Sequence, residues 1–131
     1  MGAVLLALRG SGRICIAFCG DGDFLMGVTA LWTAARYRIP LLVVVYNNRG
    51  YFDDEMHQDR VARARGRPVE NRWIGQTITD PDVDIAGMAR AQGATGFGPV
   101  AEAAQLPAVL EQAIAAVEAG AVVVVDVLTV A

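Results

Sequence analysis

Two short polar clusters in this 131-residue chain have the residue types of a metal and phosphate site, Gly20-Asp21-Gly22 and Asn47-Asn48. Asp21 offers a charged oxygen and Asn48 a neutral one, a combination that suits a hard divalent cation holding ligand phosphate oxygens as well. Magnesium is the natural candidate. Gly22 would let the backbone approach a phosphate closely, and a helix beginning there would present free N–H groups to it.

Each cluster follows an apolar run that has the length and composition of a buried strand. Residues 14–19 lead into the first cluster and residues 41–46 into the second. Ligands of open parallel sheets bind beyond the carboxyl ends of the strands. If the two strands are neighbours in such a sheet, the two clusters meet at one edge.

The segments around these strands predict helices and one long irregular stretch. Residues 1–9 look like the end of a helix that Gly10 interrupts, and residues 24–38 have a helical apolar stripe that includes Trp32. Residues 47–79 have many charges and no sustained period, so we expect mainly a loop, with room for one short helix.

The C-terminal third completes an alternating pattern. Asp80-Pro81 has the form of a helix cap followed by a first-turn proline, and Gly93 would end that helix. The expected elements that follow are a short strand at 94–97, a helix at 106–117 and a last strand at 122–127. Strands alternating with helices predict an α/β fold, a parallel sheet flanked by helices, in one domain covering residues 1–131.

Composition excludes several classes of function. A net charge of −3 argues against a nucleic-acid surface. The longest apolar runs are too short to span a bilayer. The chain has no Lys and its one Ser is Ser11, which excludes a lysine phosphate loop and a Lys Schiff base and disfavours a serine nucleophile.

Cysteine usage and the N-terminus indicate a reducing compartment. Cys15 and Cys19 would lie roughly 13 Å apart along one strand, too far for a disulfide. No secretion signal opens the chain, so we expect a cytoplasmic protein.

The pattern of GDG, a spacer and NN resembles the signature of thiamine diphosphate-dependent enzymes such as pyruvate decarboxylase, benzoylformate decarboxylase and acetolactate synthase. The whole stretch GDGDFLMGVTALWTAARYRIPLLVVVYNNRGYF is similar to this family. The resemblance covers nearly all of the chain. It implies a thiamine diphosphate-binding fold, with thiamine diphosphate and Mg²⁺ as cofactors.

Site residues carry over through the motif. The resemblance implies that Asp21 and Asn48 bind Mg²⁺ through their side chains and Gly50 through its backbone carbonyl. Gly22 and Asp23 would line the diphosphate. The full set implied to contact the cofactor is Gly20, Asp21, Gly22, Asp23, Asn48 and Gly50.

The family also needs parts that the motif does not supply. Its members have a Gly-rich segment and a cofactor-bending hydrophobic residue upstream of GDG, and a pyrimidine-binding domain whose glutamate activates the cofactor. We therefore expect a domain incomplete at its N-terminus, completed by another chain or a missing segment. The assembled enzyme, a homo-oligomer, would decarboxylate or ligate 2-oxo acids in the manner of acetolactate synthase, or cleave 2-hydroxyacyl compounds such as acyl-CoA substrates.

Weaker signals have two interpretations each. His57, the only histidine, is a candidate proton shuttle, although a solvated acidic loop explains it as well. The arginines at 60–72 would bind a carboxylate or a coenzyme A phosphate, or be neutralised by nearby acids. Trp73 and Ile74 are expected to pack against another domain or subunit, and Asp126 to be hydrogen-bonded near a strand end.

Two other functions stay open. The chain would be a cofactor-binding or assembly fragment without turnover, or a dinucleotide-binding α/β domain. Against the second, GDG is not the glycine fingerprint of such domains, and Asn47-Asn48 stands where their acidic residue would end the second strand.

Overall fold

The sheet is built from four parallel strands. The structure is a computed structural model and describes residues 11–130. Within them lie β1 (Ile16–Gly20), β2 (Leu41–Asn47), β3 (Thr95–Val100) and β4 (Val122–Leu128), in the order β1-β2-β4-β3. The predicted parallel sheet is confirmed. The helix expected over residues 1–9 lies outside the described residues.

Helices connect the strands and cover the sheet. The described helices are α1 (Asp21–Gly27), α2 (Ala30–Arg36), α3 (Phe52–Ala64), α4 (Ile85–Ala91) and α5 (Leu106–Glu118), with a 3-10 turn at Ala103–Gln105. None of the helices within residues 11–130 is long and apolar enough to cross a membrane.

The two central strands, β2 and β4, are valine-rich because both of their faces are covered. On one face Val43, Val45 and Val124 pack with residues of α1, α2 and α4. On the other face Leu42 and Val123 pack with α5. Packing on both faces holds β2 and β4 in place, and with them the residues that follow the ends of the strands.

The single helix expected over residues 24–38 is two short helices. α1 ends at Gly27 and α2 begins at Ala30. The predicted apolar stripe still holds at four positions, since Phe24 and Leu31 are buried and Val28 and Ala35 pack against the same cluster. Trp32, expected inside, is 57% exposed, and Ala34 takes the buried position.

The stretch expected to be mainly loop contains the 13-residue helix α3, none of whose residues is buried. A helix without a buried face has no apolar period, which is why the pattern did not reveal it. Its stability has local sources. Asp53, Asp54 and Glu55 lie in the first turn, where the helix dipole favours negative charge, and Asp59 pairs with Arg63 one turn later at 2.7 Å.

The cap predicted at Asp80 is wrong. Helix α4 begins at Ile85, and its cap is Asp84, four residues after Asp80, since the Asp84 Oδ1 atom accepts a hydrogen bond of 2.7 Å from the Gly87 N–H. The predicted termination is confirmed, because Gly93 follows α4 with a φ of +83°, a conformation that favours glycine.

Candidate functional site

The register of the sheet brings the two polar clusters together. Strands β1 and β2 are neighbours, and Gly20 is paired with Tyr46, so both strands end at the same level. Asp21 is the first residue of α1 and is only 2% exposed. Asn48 follows directly after β2, so the two predicted metal ligands lie at one edge of the sheet.

Asp21 and Asn48 converge on one backbone N–H group. The Gly50 nitrogen donates to Asp21 Oδ2 and to Asn48 Oδ1, each at 3.1 Å. The two oxygens therefore lie within about 6 Å of each other, and both face a small positive group. A cation accepted between them would meet one charged and one neutral oxygen, as the sequence predicted.

Two successive Asx turns shape the loop that presents Asn48. The Asn47 Oδ1 atom accepts from the Arg49 N–H at 3.1 Å, and Asn48 Oδ1 accepts from Gly50 in the same way. Arg49 lies between them with a φ of +60°, in the left-handed region. The side chains of both asparagines are thus used to hold this reversal of the chain.

A second segment fixes the far side of the same loop. The Tyr51 N–H donates to the Gln76 carbonyl at 2.7 Å, and the Ile78 N–H donates to the Arg49 carbonyl at 2.8 Å. A Cβ atom at Gly50 would lie 3.0 Å from the Gln76 oxygen, which is tighter than ordinary contacts. A glycine at position 50 allows this close pairing.

A cavity of about 230 Å³ opens where the two clusters meet. Its lining includes every residue that the sequence predicted to contact the cofactor, namely Gly20, Asp21, Gly22, Asp23, Asn48 and Gly50. Residues of the loop after β2 and the start of α3 complete the wall, among them Tyr51, Asp53 and Asp54. Sequence reasoning did not assign these additional residues to the site.

The cavity is strongly acidic. Asp21, Asp23, Asp53 and Asp54 are its charged lining residues. Their field extends to β1: burial raises the pKa of the Cys19 thiol, and the carboxylates of Asp23 and Asp21 raise it further. An anionic ligand would be repelled from this cavity unless a cation entered with it.

Gly22 lies directly under an aromatic ring. A Cβ atom at this position would overlap the ring of Tyr51. Gly22 has no positive φ, so glycine is needed here for space and not for backbone conformation. The ring of Tyr51 and the backbone at the start of α1 are therefore in close contact.

A buried polar pair lies behind the loop. Asn47 Nδ2 donates to Asp126 Oδ1 at 3.1 Å, and both side chains are almost fully buried. Burial raises the pKa of Asp126, the hydrogen bond from Asn47 opposes this, and the charge of Asp21 raises the pKa further. The predicted hydrogen bond of Asp126 near a strand end is confirmed, although its partner was not foreseen.

The remaining candidates lie apart from this cavity. His57 is exposed on α3 and does not line the cavity, and its role stays a prediction. Arg63 pairs with Asp59, and Arg72 pairs with Glu55 at 3.0 Å, so acids neutralise part of the arginine-rich segment. Trp73 and Ile74 are both more than half exposed, and their packing against another domain or subunit stays a prediction.

The candidate metal ligands are oxygen atoms from three different kinds of group. Within residues 11–130, no three side chains of His, Cys, Asp or Glu gather in a cluster that could hold a metal. Both cysteines are free thiols. The candidate donors are instead one carboxylate, one amide oxygen and one backbone carbonyl, from Asp21, Asn48 and Gly50.

Comparisons with known proteins identify the family of the chain. Over residues 1–127 the chain matches the family model described as thiamine pyrophosphate enzyme, C-terminal TPP binding domain. It is 33% identical over 96 residues to the thiamine pyrophosphate-containing protein YdaP of Bacillus subtilis, and 30% identical over 89 residues to benzoylformate decarboxylase of Pseudomonas aeruginosa. These matches cover 73% and 66% of the chain, but only 15% and 14% of the relatives.

A solved structure shares the fold. The chain superposes with a TM-score of 0.67 on the thiamine diphosphate-dependent 4-hydroxybenzoylformate decarboxylase of Rhodococcus jostii RHA1, at 25% identity. The match covers 94% of this chain and 20% of that protein. The chain thus belongs to the family of C-terminal thiamine diphosphate-binding domains of thiamine diphosphate enzymes.

Proposed function

We propose that the cavity at the ends of β1 and β2 binds the diphosphate of thiamine diphosphate through Mg²⁺. The observation that carries this proposal is the convergence of Asp21 Oδ2 and Asn48 Oδ1 on the Gly50 N–H, each at 3.1 Å. Asp21 and Asn48 would bind the metal through these side chains and Gly50 through its carbonyl. The family match favours this ligand over a dinucleotide.

The donor set fits magnesium because all three protein ligands are hard oxygens, and only one is charged. Mg²⁺ prefers few protein carboxylates and completes its octahedron with substrate phosphate oxygens and water. Asp21 supports this role further, since it is buried at the start of α1 and held by a backbone N–H rather than by a competing cation. Its charge is available to a metal.

Because the cavity is negatively charged, we expect the diphosphate to bind only together with a cation. A diphosphate would face the carboxylates of Asp21, Asp23, Asp53 and Asp54 at close range. Like charges in a partly enclosed site disfavour one another strongly. A divalent cation between Asp21 and the diphosphate reverses the sign of the nearest interaction, so metal and cofactor are expected to bind together.

The enzyme reaction follows from the cofactor class. Bound thiamine diphosphate supplies a carbon nucleophile and an electron sink for carbonyl chemistry. We propose that the complete enzyme decarboxylates or ligates 2-oxo acids, because two of the similar proteins are named as decarboxylases of this substrate class. Cleavage of 2-hydroxyacyl compounds is the alternative within the same chemistry.

The chain's own contribution is to hold one end of the cofactor. Asp21, Asn48 and Gly50 would hold the diphosphate through Mg²⁺, and Gly22 leaves room for the Tyr51 ring that packs on the start of α1. The chain spans about one seventh of the curated relatives that it matches. A pyrimidine-binding domain with its activating glutamate would come from another segment or chain, and the 131 residues form the diphosphate-binding domain.

Calorimetric titration with Mg²⁺ and thiamine diphosphate tests the proposal through two variants. Asp21→Asn keeps an oxygen that accepts from Gly50 but removes the charge, and Asn48→Ala removes the neutral ligand. We expect each to weaken metal-dependent binding by about 100-fold, equivalent to about 2.7 kcal/mol. Neither change removes apolar core volume.

Matched control variants lie on exposed positions away from the cavity. Glu118→Gln removes a charge on α5, and Asn71→Ala removes an exposed amide. Both are expected to bind like the wild type. Unchanged affinity in Asp21→Asn and Asn48→Ala, with the circular dichroism spectrum intact, would rule the proposed metal site out.

A further inference from the structure

We propose that Asp126 is a positioning residue for the metal site, acting through the side chain of Asn47. The inference rests on the proposed function, because the groups that Asp126 would position, Asn48 and Gly50, are the metal ligands proposed there. Asp126 itself lies two residues before the end of β4, behind the loop, and its hydrogen bond goes to Asn47 and to none of the three proposed metal ligands. Its effect must pass along a chain of contacts.

Three hydrogen bonds form that chain. Asn47 Nδ2 donates to Asp126 Oδ1 at 3.1 Å, and Asn47 Oδ1 accepts from the Arg49 N–H at 3.1 Å. The next residue repeats the pattern, since Asn48 Oδ1 accepts from the Gly50 N–H. The orientation of one buried amide thus connects the last strand to the turn that presents both proposed ligands.

Asp126 supplies the acceptor oxygen that fixes the orientation of this amide. An amide can present either its oxygen or its NH₂ group to a neighbour, and here the NH₂ group of Asn47 meets the accepting Oδ1 atom of Asp126. Asp126 therefore turns the NH₂ group of Asn47 toward itself and the oxygen toward Arg49. Without that acceptor, Asn47 can rotate and the left-handed conformation at Arg49, with φ of +60°, loses its side-chain support.

The surroundings of Asp126 hold it in place. Asp126 is 2% exposed. Strand β3 comes close to it at Gly98, where a Cβ atom would lie 3.0 Å from the Asp126 Cβ. Asp126 also lines a second cavity of about 240 Å³ together with Asp21 and Asn47. A rigidly packed carboxylate is suited to positioning, since small shifts matter to the near-ideal octahedral geometry that Mg²⁺ requires.

Amide hydrogen exchange tests the positioning directly and without any cofactor. We compare the exchange rate at Arg49 with that at Val124 in the centre of the sheet, in the full chain. Asp126→Ala is expected to raise the ratio of the two rates by about 10-fold, because only the turn is released. Asp126→Asn, whose amide oxygen still accepts from Asn47, should leave the ratio within about 2-fold.

Val125→Ala is the matched control for a purely structural role. Val125 is fully buried beside Asp126, so truncating it destabilises the sheet without touching the hydrogen-bond chain. Both exchange rates should rise together in this variant. If Asp126→Ala also raises the two rates in parallel, Asp126 stabilises the fold only and the proposal is overturned.

A second arm measures Mn²⁺ bound in the presence of thiamine diphosphate by electron paramagnetic resonance. Asp126→Ala is expected to weaken binding by about 10-fold or more, the usual effect of removing a partner behind a metal ligand. Asn47→Asp should weaken it too, since it places two carboxylates face to face. Combining Asn47→Asp with Asp126→Asn restores one donor and one acceptor and should recover the affinity.

The two arms separate the two proposals. Failure of the wild-type chain to bind Mn²⁺ with thiamine diphosphate contradicts the proposed function, while the exchange ratio still decides the role of Asp126. Wild-type binding together with unchanged affinity in Asp126→Ala contradicts the positioning role alone. A double variant that binds no better than Asn47→Asp contradicts it as well.

Discussion

Replacing Gly22 with alanine tests how closely the site is packed, and the structure allows the change in the free energy of unfolding to be estimated. Gly22 is the second residue of α1, where alanine gains up to about 1 kcal/mol of helix propensity. The added methyl group would overlap the Tyr51 ring, and inserting a methyl group into packed surroundings costs about 1 to 3 kcal/mol. We expect a net destabilisation of about 1 kcal/mol.

Gly27→Ala is the matched control, because Gly27 ends the same helix and a Cβ there would meet nothing within 4 Å. It should be neutral or stabilising by up to about 1 kcal/mol. Urea unfolding followed by circular dichroism measures both variants. The difference between them, about 1 to 2 kcal/mol, isolates the contact with Tyr51.

A double variant completes this test. In a Tyr51→Ala background the obstacle is gone, so Gly22→Ala should no longer destabilise, giving a coupling energy of about 1 to 3 kcal/mol. Equal stabilities of Gly22→Ala and Gly27→Ala, or a coupling near zero, would refute the reasoning. Gly22→Ala should also weaken binding of thiamine diphosphate, since the methyl group enters the cavity.

Other expectations follow from individual groups. Burial raises the folded-state pKa of Asp126. This residue should therefore stabilise the fold at acidic pH, and its contribution should be lost as the pH rises above the usual carboxyl range. Unfolding of the wild type and of Asp126→Asn at several pH values measures this contribution. His57→Ala should leave turnover of the assembled enzyme nearly unchanged because His57 is exposed, and steady-state kinetics showing a loss of about 100-fold would restore the shuttle role. The chain alone should release no CO₂ from 2-oxo acids, because no glutamate among residues 11–130 lines the cavity, and a CO₂-release assay checks this. Light scattering should show self-association that Trp73→Ser reduces, since Trp73 is 52% exposed.

The parts of the fold that sequence predicted well are those with strong local signals. The runs that became β2 and β4 are buried on both faces and therefore uniformly apolar, which fixed their positions within about a residue. The convergence of Asp21 and Asn48 followed from one further rule, that neighbouring parallel strands end at the same edge.

Features without a local signal were missed. Helix α3 has no buried residue, so its charges looked like those of a loop. The cap at Asp84 competes with Asp80 in sequence, and only the three-dimensional path of the chain selects between them. The bond between Asn47 and Asp126 joins residues from separate strands, which no spacing rule connects.

The most direct test of the account is the dependence of thiamine diphosphate binding on a divalent cation. Calorimetry on the wild-type chain compares titration with Mg²⁺ present and with Mg²⁺ removed by a chelator, and uses thiamine without phosphate as the control ligand. Because carboxylates are the charged residues of the cavity, we predict an affinity at least about 100-fold weaker without the metal, and no measurable binding of thiamine. Equal affinity for thiamine diphosphate with and without Mg²⁺ would contradict the central claim.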